Sequence, residues 1–384
     1  MDHERERDRP RRNAPEAERA YEAALEVAPD FYRAHSALAE LGTHTRAANH
    51  IERLQHALGR VGDDADAELH LRHALAKEHE DCGDYAAAFE HLTIGKRRKR
   101  ATLRYSVDDD LALFDRIQRL FTPALLARAA AGHASEEPIF VVGMPRTGTT
   151  LVERILSSHS AVTSAGELQN FAVGLKRAAA TLSNRVLDEE TLERSLGVDF
   201  AALGKTYIES TRPMTGRAAH FVDKMPLNFF YIGFIRLALP RAKIVCLRRH
   251  PLDTCLSNFR QLFAPGFSYY NYAFDLADTG RYYIAFDRLM RHWRALLPDG
   301  LLEIGYEQLV ADQESETRKL LEFCGLPWEE RCLEFHRNPS PVATASAVQV
   351  RRRLYPDSIG RWRRYGDLLD PLGALLSAAG IELD

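Results

Sequence analysis

Val141–Arg154 reads VVGMPRTGTTLVER. An apolar run ends at Gly143, four residues separate it from Gly148, and two threonines then open a stretch of helical periodicity. A strand that feeds a glycine loop into a helix N-terminus aims a ring of backbone N–H groups at one anion. Gly143 and Gly148 permit the tight backbone, while Thr149 and Thr150 add hydroxyl donors. Nucleoside triphosphatases place a lysine after the second glycine to serve the β- and γ-phosphates. Here that position is Thr149. The loop suits a ligand with one 5′-phosphate and no γ-phosphate, which points away from ATP.

The α/β texture continues downstream. Ile139–Val142 is expected to be a short buried strand and Thr150–Ser158 a helix. Phe221-Val222, Ala242–Leu247 and Leu301–Tyr306 are further strands, with a helix near Phe229–Leu239. Strands alternating with helices predict a P-loop-like parallel sheet covered on both faces.

Upstream, to about Ala131, the chain is rich in Ala, Glu, Arg and His and has few β-branched runs, so it reads as all-α. Ala20–Asp30 resembles the second-helix ending of a tetratricopeptide repeat, and Gly83–Leu92 resembles its turn and second-helix start, with Ala24 and Ala88 as the small contact residues. An irregular helical bundle is the alternative. The basic run Lys96–Arg100 reads as a solvated face at a helix end. The expected organisation is a charged tail over 1–16, a repeat-like helical domain over 17–132 and an α/β domain over 133–384.

The 384 residues carry a net charge of -3, which argues against a dedicated nucleic-acid binder. No apolar run approaches the ~20 residues of a membrane helix, and Met1–Glu16 is too charged for a signal peptide or anchor. The five cysteines form no C-x-x-C pair, so neither a disulfide framework nor a cysteine zinc site is expected. A reducing cytoplasm is the expected setting.

A second anion signal is Arg248–Ser257, RRHPLDTCLS, at a strand end. A guanidinium offers a bidentate fork to a phosphate dianion, and a serine on the following helix adds a donor. Together with PRTGTTL, this resembles the sulfotransferases that use 3′-phosphoadenosine-5′-phosphosulfate. The likeness runs over about residues 137–365 and is strongest to the tyrosylprotein branch and its repeat-bearing bacterial relatives. It implies that Arg146, Thr147, Gly148, Thr149 and Thr150 take the 5′-phosphosulfate, and that Arg249 and Ser257, eight residues apart, hold the 3′-phosphate. Arg248 is one residue out of register. Tyr306 corresponds to a nucleotide-side tyrosine, or packs at a strand end. Ser346 and Arg351 fall in the counterpart of the nucleotide-closing segment, where Arg352 and Arg353 leave the arginine assignment open.

The resemblance also implies catalytic roles. The branch places a glutamate base 21 residues after the loop arginine, which is Glu167; a glutamate balancing a helix dipole is the plainer reading. Such a base is expected in a partly desolvated position. Lys224 corresponds to the lysine that stabilises the oxygen bridging sulfur and phosphate, with Asp223 to orient it and Arg146 to assist from the loop. Sulfonate carries less charge than a phosphoryl group, so no metal is expected. His159 reads as a helix-end cap and His250 as structural. The aromatic stretch Phe267–Tyr272 either lines the acceptor side or packs.

The expectation is thus a sulfotransferase with a hydroxyl acceptor: a peptide or protein tyrosine, or a saccharide, lipid or small metabolite. A P-loop kinase or triphosphatase, and an inactive repeat protein that only binds partners, are the competing readings. The helical repeats would serve a protein partner.

Overall fold

The computed structural model describes residues 9–264, 266–338, 354 and 358–383. Contacts divide the chain into two compact units: residues up to 105 with 259–279 and 362–372, and the remainder. The first unit is helical. Its helices are α1 (Arg9–Val27), α2 (Tyr32–Glu40), α3 (Ile51–Leu58), α4 (Ala65–Asp81) and α5 (Tyr85–Ala101). α1 begins inside the segment whose composition suggested a tail. Asp64 starts α4 by accepting the amides of Asp66 and Ala67, both at 2.9 Å. Asp84 starts α5 by accepting Ala87 N–H at 3.0 Å, satisfying a donor that the first helical turn leaves unpaired. The three-residue turn between α4 and α5 lies where Gly83–Leu92 suggested one. Ala88 is fully buried with Ala76, Leu92 and Phe259, so a small residue does stand where two helices meet.

The basic run is not a uniformly solvated face. Successive helical residues turn by about 100°, and this rotation carries Lys96 to the inside, where it is 2% exposed. Its Nζ donates to the carbonyls of Gln261 (3.0 Å) and Ala273 (2.8 Å) and lies over the rings of Phe259 and Phe274. The outward members pair with acids: Arg98 with Asp63 and Glu68, Lys99 with Asp66, and Arg100 with Asp278. Lys96 thereby holds the segment that contains Phe267–Tyr272. In that segment Tyr272 is buried and Phe263 stacks on Tyr270 at 4.1 Å, while Phe267 is 49% exposed.

The second unit opens with α6 (Val107–Leu120). Contacts cut the chain after Tyr105, earlier than the composition break at 132/133. The reason is aromatic packing: Phe114 meets Phe229, Phe230 and Tyr282, and Phe121 meets Phe234 and Trp293. The sheet follows, with β1 (Pro138–Gly143), β2 (Val162–Ser164), β3 (His220–Lys224), β4 (Lys243–Arg248) and β5 (Leu301–Gly305). Its order is β2-β3-β1-β4-β5, parallel throughout, with Val141 opposite Lys224 and Gly143 opposite Leu247. The helices that matter below are α7 (Thr149–Leu156), α8 (Asn170–Ala178), α9 (Phe200–Thr215), α10 (Ile232–Ala238) and α11 (Pro251–Arg260).

Every residue of β1 is buried. Ile139 and Val141 join Val152, Ile155 and Val222 on one face. Phe140 stacks with Tyr207 on the other. Central position and burial on both faces explain why this strand is an unbroken apolar run. After β1 the chain moves to one side of the sheet, and after β4 to the other. The crevice at the carboxyl ends of these strands is where doubly wound sheets bind ligands.

Burial of the Lys96 amine lowers its pKa from 10.5 to about 7. The unfolded chain therefore binds more protons than the native one between these values, and stability rises with pH through that window. Urea denaturation of the protein and of Lys96→Met is expected to show the difference moving in favour of lysine by ~2 kcal/mol from pH 7 to pH 9. Parallel pH profiles for the two proteins would contradict the buried amine.

Candidate functional site

The glycine loop is shaped by two close approaches. Gly148 has φ +106°, and a Cβ there would stand 2.8 Å from the ring of Tyr306. Gly143 has φ +148°, and a Cβ there would meet the Leu247 carbonyl at 2.7 Å. Both positions need backbone freedom and empty space, which glycine alone supplies. Arg146, at φ +66°, is a non-glycine residue in left-handed backbone, a conformation that costs about 1–3 kcal/mol and clusters at ligand sites. Thr147 donates its hydroxyl to Met144 O at 2.8 Å, so that side chain braces the loop from within. Thr149 and Thr150 begin α7 and are both 5% exposed.

A residue not singled out in the sequence completes the brace. Asn258, fully buried on α11, donates to Pro145 O at 2.8 Å and to Thr254 O at 2.9 Å. It is the neighbour of Ser257, which is half-buried on the same helix. The only sequence signal was an amide on the buried side of a helix that follows a basic strand end.

Arg248 and Arg249 diverge as adjacent residues must. Arg248 is locked to Asp287, lies 3.6 Å from Glu303 and packs over the Phe286 ring; its role is structural. Arg249 reaches the loop instead. It donates to Arg146 O at 3.1 Å and to Ser358 O, lies over the Tyr306 ring at 5.1 Å and stands 3.6 Å from Asp253. Its Nε is buried without a hydrogen-bond partner among the described residues. Asp253 also accepts Gly360 N–H at 2.7 Å. Tyr306, the first residue after β5, thus touches both the loop glycine and the second anion arginine. Ser346 and Arg351 lie outside the described residues.

At the end of β3, Lys224 is 1% exposed. Its Nζ donates to Glu167 Oε1 and lies 3.8 Å from Glu153 Oε2. Glu167 lies in the bend between β2 and α8 rather than in a first helical turn, and its side chain is 43% exposed. The desolvated carboxylate is the other one. Glu153, on α7, is pushed up from its ordinary value by burial, against the pull of Lys224 and a 2.5 Å hydrogen bond from Ser164 Oγ. The sequence does not mark it, because a glutamate inside an amphipathic helix looks unremarkable until the helix is laid on a strand carrying a lysine.

Asp223 does not orient Lys224. Adjacent strand residues face opposite sides, and Asp223 instead accepts Tyr207 Oη at 2.8 Å and Leu168 N–H at 3.4 Å. It therefore steadies the bend that carries Glu167. Burial raises its pKa to about 7, against these hydrogen bonds. His159 donates to Pro327 O at 2.9 Å and accepts Ala161 N–H at 3.1 Å, which makes it a loop clasp. His250 accepts Leu252 N–H at 3.2 Å and faces Leu383 O.

The structure thus brings Arg146, Arg249 and Tyr306 together around the glycine loop, and joins Glu167, Lys224 and Glu153 next to it on the neighbouring strand. Residues 138–330, half of the chain, match the model of the sulfotransferase family. The chain belongs to that family. It is 38% identical over 306 residues to an uncharacterised protein of Aquifex aeolicus (strain VF5), covering 78% of this chain and 40% of that one. It is 24% identical over 234 residues to a protein-tyrosine sulfotransferase of Drosophila melanogaster, covering 58% and 46%. The chain spans less than half the length of these curated relatives. The sulfotransferase domain of the Synechococcus PCC 7002 olefin synthase superposes with a TM-score of 0.45 at 21% identity, covering 66% of this chain and 98% of that domain.

Gly148→Ala is expected to lower the melting temperature by several degrees, because positive φ and the Tyr306 ring both oppose a Cβ, together costing about 1–3 kcal/mol. Gly266→Ala, which meets nothing within 4 Å, serves as the control. Equal melting temperatures for the two variants would contradict the close approach.

Proposed function

We propose that this chain transfers a sulfonate group from 3′-phosphoadenosine-5′-phosphosulfate to a hydroxyl acceptor, with the phenol of a peptide tyrosine as the acceptor class to try first. The observation that carries the reading is the buried ammonium of Lys224, paired with the Glu167 carboxylate on the strand beside the glycine loop. The residues fit the donor: the loop has no lysine for a γ-phosphate, and the Nε of Arg249, which has no hydrogen-bond partner among the described residues, offers a donor for a second phosphate.

The bound donor supplies an anhydride from which sulfonate can leave. The chain supplies position and charge. Backbone amides at the start of α7, with the Thr149 and Thr150 hydroxyls, hold the 5′-phosphate. Arg249 and Ser257 hold the 3′-phosphate. Glu167 takes the acceptor's proton as its oxygen attacks sulfur. Lys224 meets the negative charge that develops on the bridging oxygen, and Arg146 assists from the loop. Glu167 and Glu153 both lie within ion-pair distance of Lys224, so the ammonium can turn to the donor while a carboxylate stays beside it. Ser346 and Arg351 belong to the proposal as further donor contacts. The free cysteines suit a reducing cytoplasm.

The protein-tyrosine sulfotransferase relative favours tyrosine as the acceptor. Saccharide, lipid and small-metabolite hydroxyls are the alternatives, since a fold does not choose its substrate.

Adenosine 3′,5′-bisphosphate is expected to raise the melting temperature in a saturable manner. Arg249→Ala should weaken that binding by about 10- to 100-fold, the cost of a charge-assisted contact. Glu167→Gln and Lys224→Ala should bind the bisphosphate and lose about 10²- to 10⁴-fold in turnover. No thermal shift at saturating bisphosphate overturns the donor assignment; full activity in both catalytic variants overturns the roles.

A further inference from the structure

Glu78 stands in the last turn of α4 with its carboxylate wholly buried. Among the described residues no lysine or arginine forms an ion pair with it; its charge-capable neighbours are two imidazoles. His50, the residue before α3, places Nδ1 2.8 Å from Glu78 Oε1, and its backbone N–H donates to Oε2 at 2.5 Å. His44, in the loop after α2, places Nε2 3.6 Å from the same Oε1. The three ligand atoms lie within 4.8 Å of one another, and the two rings meet edge-on at 5.0 Å.

We infer that His44, His50 and Glu78 form a binding site for a divalent transition-metal ion, Zn²⁺ or a similar imidazole-seeking cation. Bonds of about 2.0–2.2 Å at tetrahedral angles separate ligand atoms by about 3.4 Å. The two separations from Glu78 Oε1, 2.8 and 3.6 Å, straddle that value, and the two imidazole nitrogens lie within 4.8 Å of each other, so rotation of the rings about their side-chain bonds brings the three into range. The donor set of two imidazoles and one carboxylate leaves a fourth position for water.

The surroundings match what metal ligands require. The far nitrogen of His50, Nε2, faces Glu22 Oε1 at 3.9 Å, and Arg53 grips Glu22 at 2.7 and 3.1 Å. An outer carboxylate of this kind orients a ligating imidazole. Asp81 accepts the His44 backbone N–H at 2.8 Å and is itself paired with Lys77, which fixes the loop. With Oε2 occupied by the His50 amide, Oε1 is left to face both rings. The histidine side chains are 12% and 25% exposed, which gives an ion a way in from solvent. His44 Nε2 also contacts Ala39 O at 3.1 Å, a hydrogen bond that the ion displaces, together with the proton between His50 and Glu78. Bound there, the ion ties the loop between α2 and α3 to the end of α4. It uses no residue assigned to sulfonate transfer.

The test is titration of the full-length, chelator-treated protein with Zn²⁺ and, as a spectroscopic probe, Co²⁺. The expected result is one saturable Zn²⁺ per chain, a rise of several degrees in melting temperature, and X-ray absorption reporting two imidazole ligands. His44→Gln and His50→Gln should each weaken binding at least tenfold, while His56→Ala, at an exposed histidine, leaves it unchanged. Absence of saturable uptake overturns the site, as does equal affinity in the glutamine variants. Should a variant fail to fold, the absorption spectrum of the wild-type complex decides alone: a ligand shell without two imidazoles overturns the site.

Discussion

The close approach of the Tyr306 ring to Gly148 is the constraint around which the sheet unit is arranged. It brings the end of β5 against the loop that leaves β1, two strands away, and leaves no volume for a side chain between them. The same ring carries the Arg249 guanidinium, which in turn holds the carbonyl of Arg146. From the other side, Asn258 fixes Pro145. One aromatic ring and one buried amide therefore set a five-residue backbone curve, and the strain at Arg146 persists because both neighbours over-determine it.

The second arrangement is electrostatic. A lysine buried as deeply as Lys224 needs anionic partners to remain charged, and it has two of different character. Glu167 is partly exposed; Glu153 is enclosed and held by Ser164. Under the proposed reaction this difference divides the work: the accessible carboxylate would take the proton of an incoming hydroxyl, and the enclosed one would keep the lysine in place. Asp223, on the opposite face of β3, contributes by anchoring Leu168, next to Glu167.

Much of this was legible in the sequence. The glycine loop and strands β1, β3, β4 and β5 follow from motifs whose spacing is rigid, whereas the ion pair of Lys224 with Glu167 does not, because the sequence offers Asp223 as the partner. What stayed hidden depends on direction rather than identity. Asp223 and Lys224 look like a working pair until strand alternation sends them to opposite faces. Arg248 and Arg249 look equivalent until one of them meets Asp287. Lys96 looks like part of a solvated run until helical rotation turns it inward. β2 escaped notice because three residues, Val162–Ser164, carry no periodicity. The helical segment 106–131 reads as part of the first domain because helices look alike in composition, and only the partners of Phe114 and Phe121 reveal the side to which it belongs.

The most direct test of the account is transfer of label from 3′-phosphoadenosine-5′-phospho[³⁵S]sulfate, with host extracts separated into protein, glycan, lipid and small-molecule fractions. Label is expected in one fraction without added magnesium, with release of adenosine 3′,5′-bisphosphate. Label remaining on the donor in every fraction, alongside magnesium-dependent hydrolysis of ATP, would contradict it.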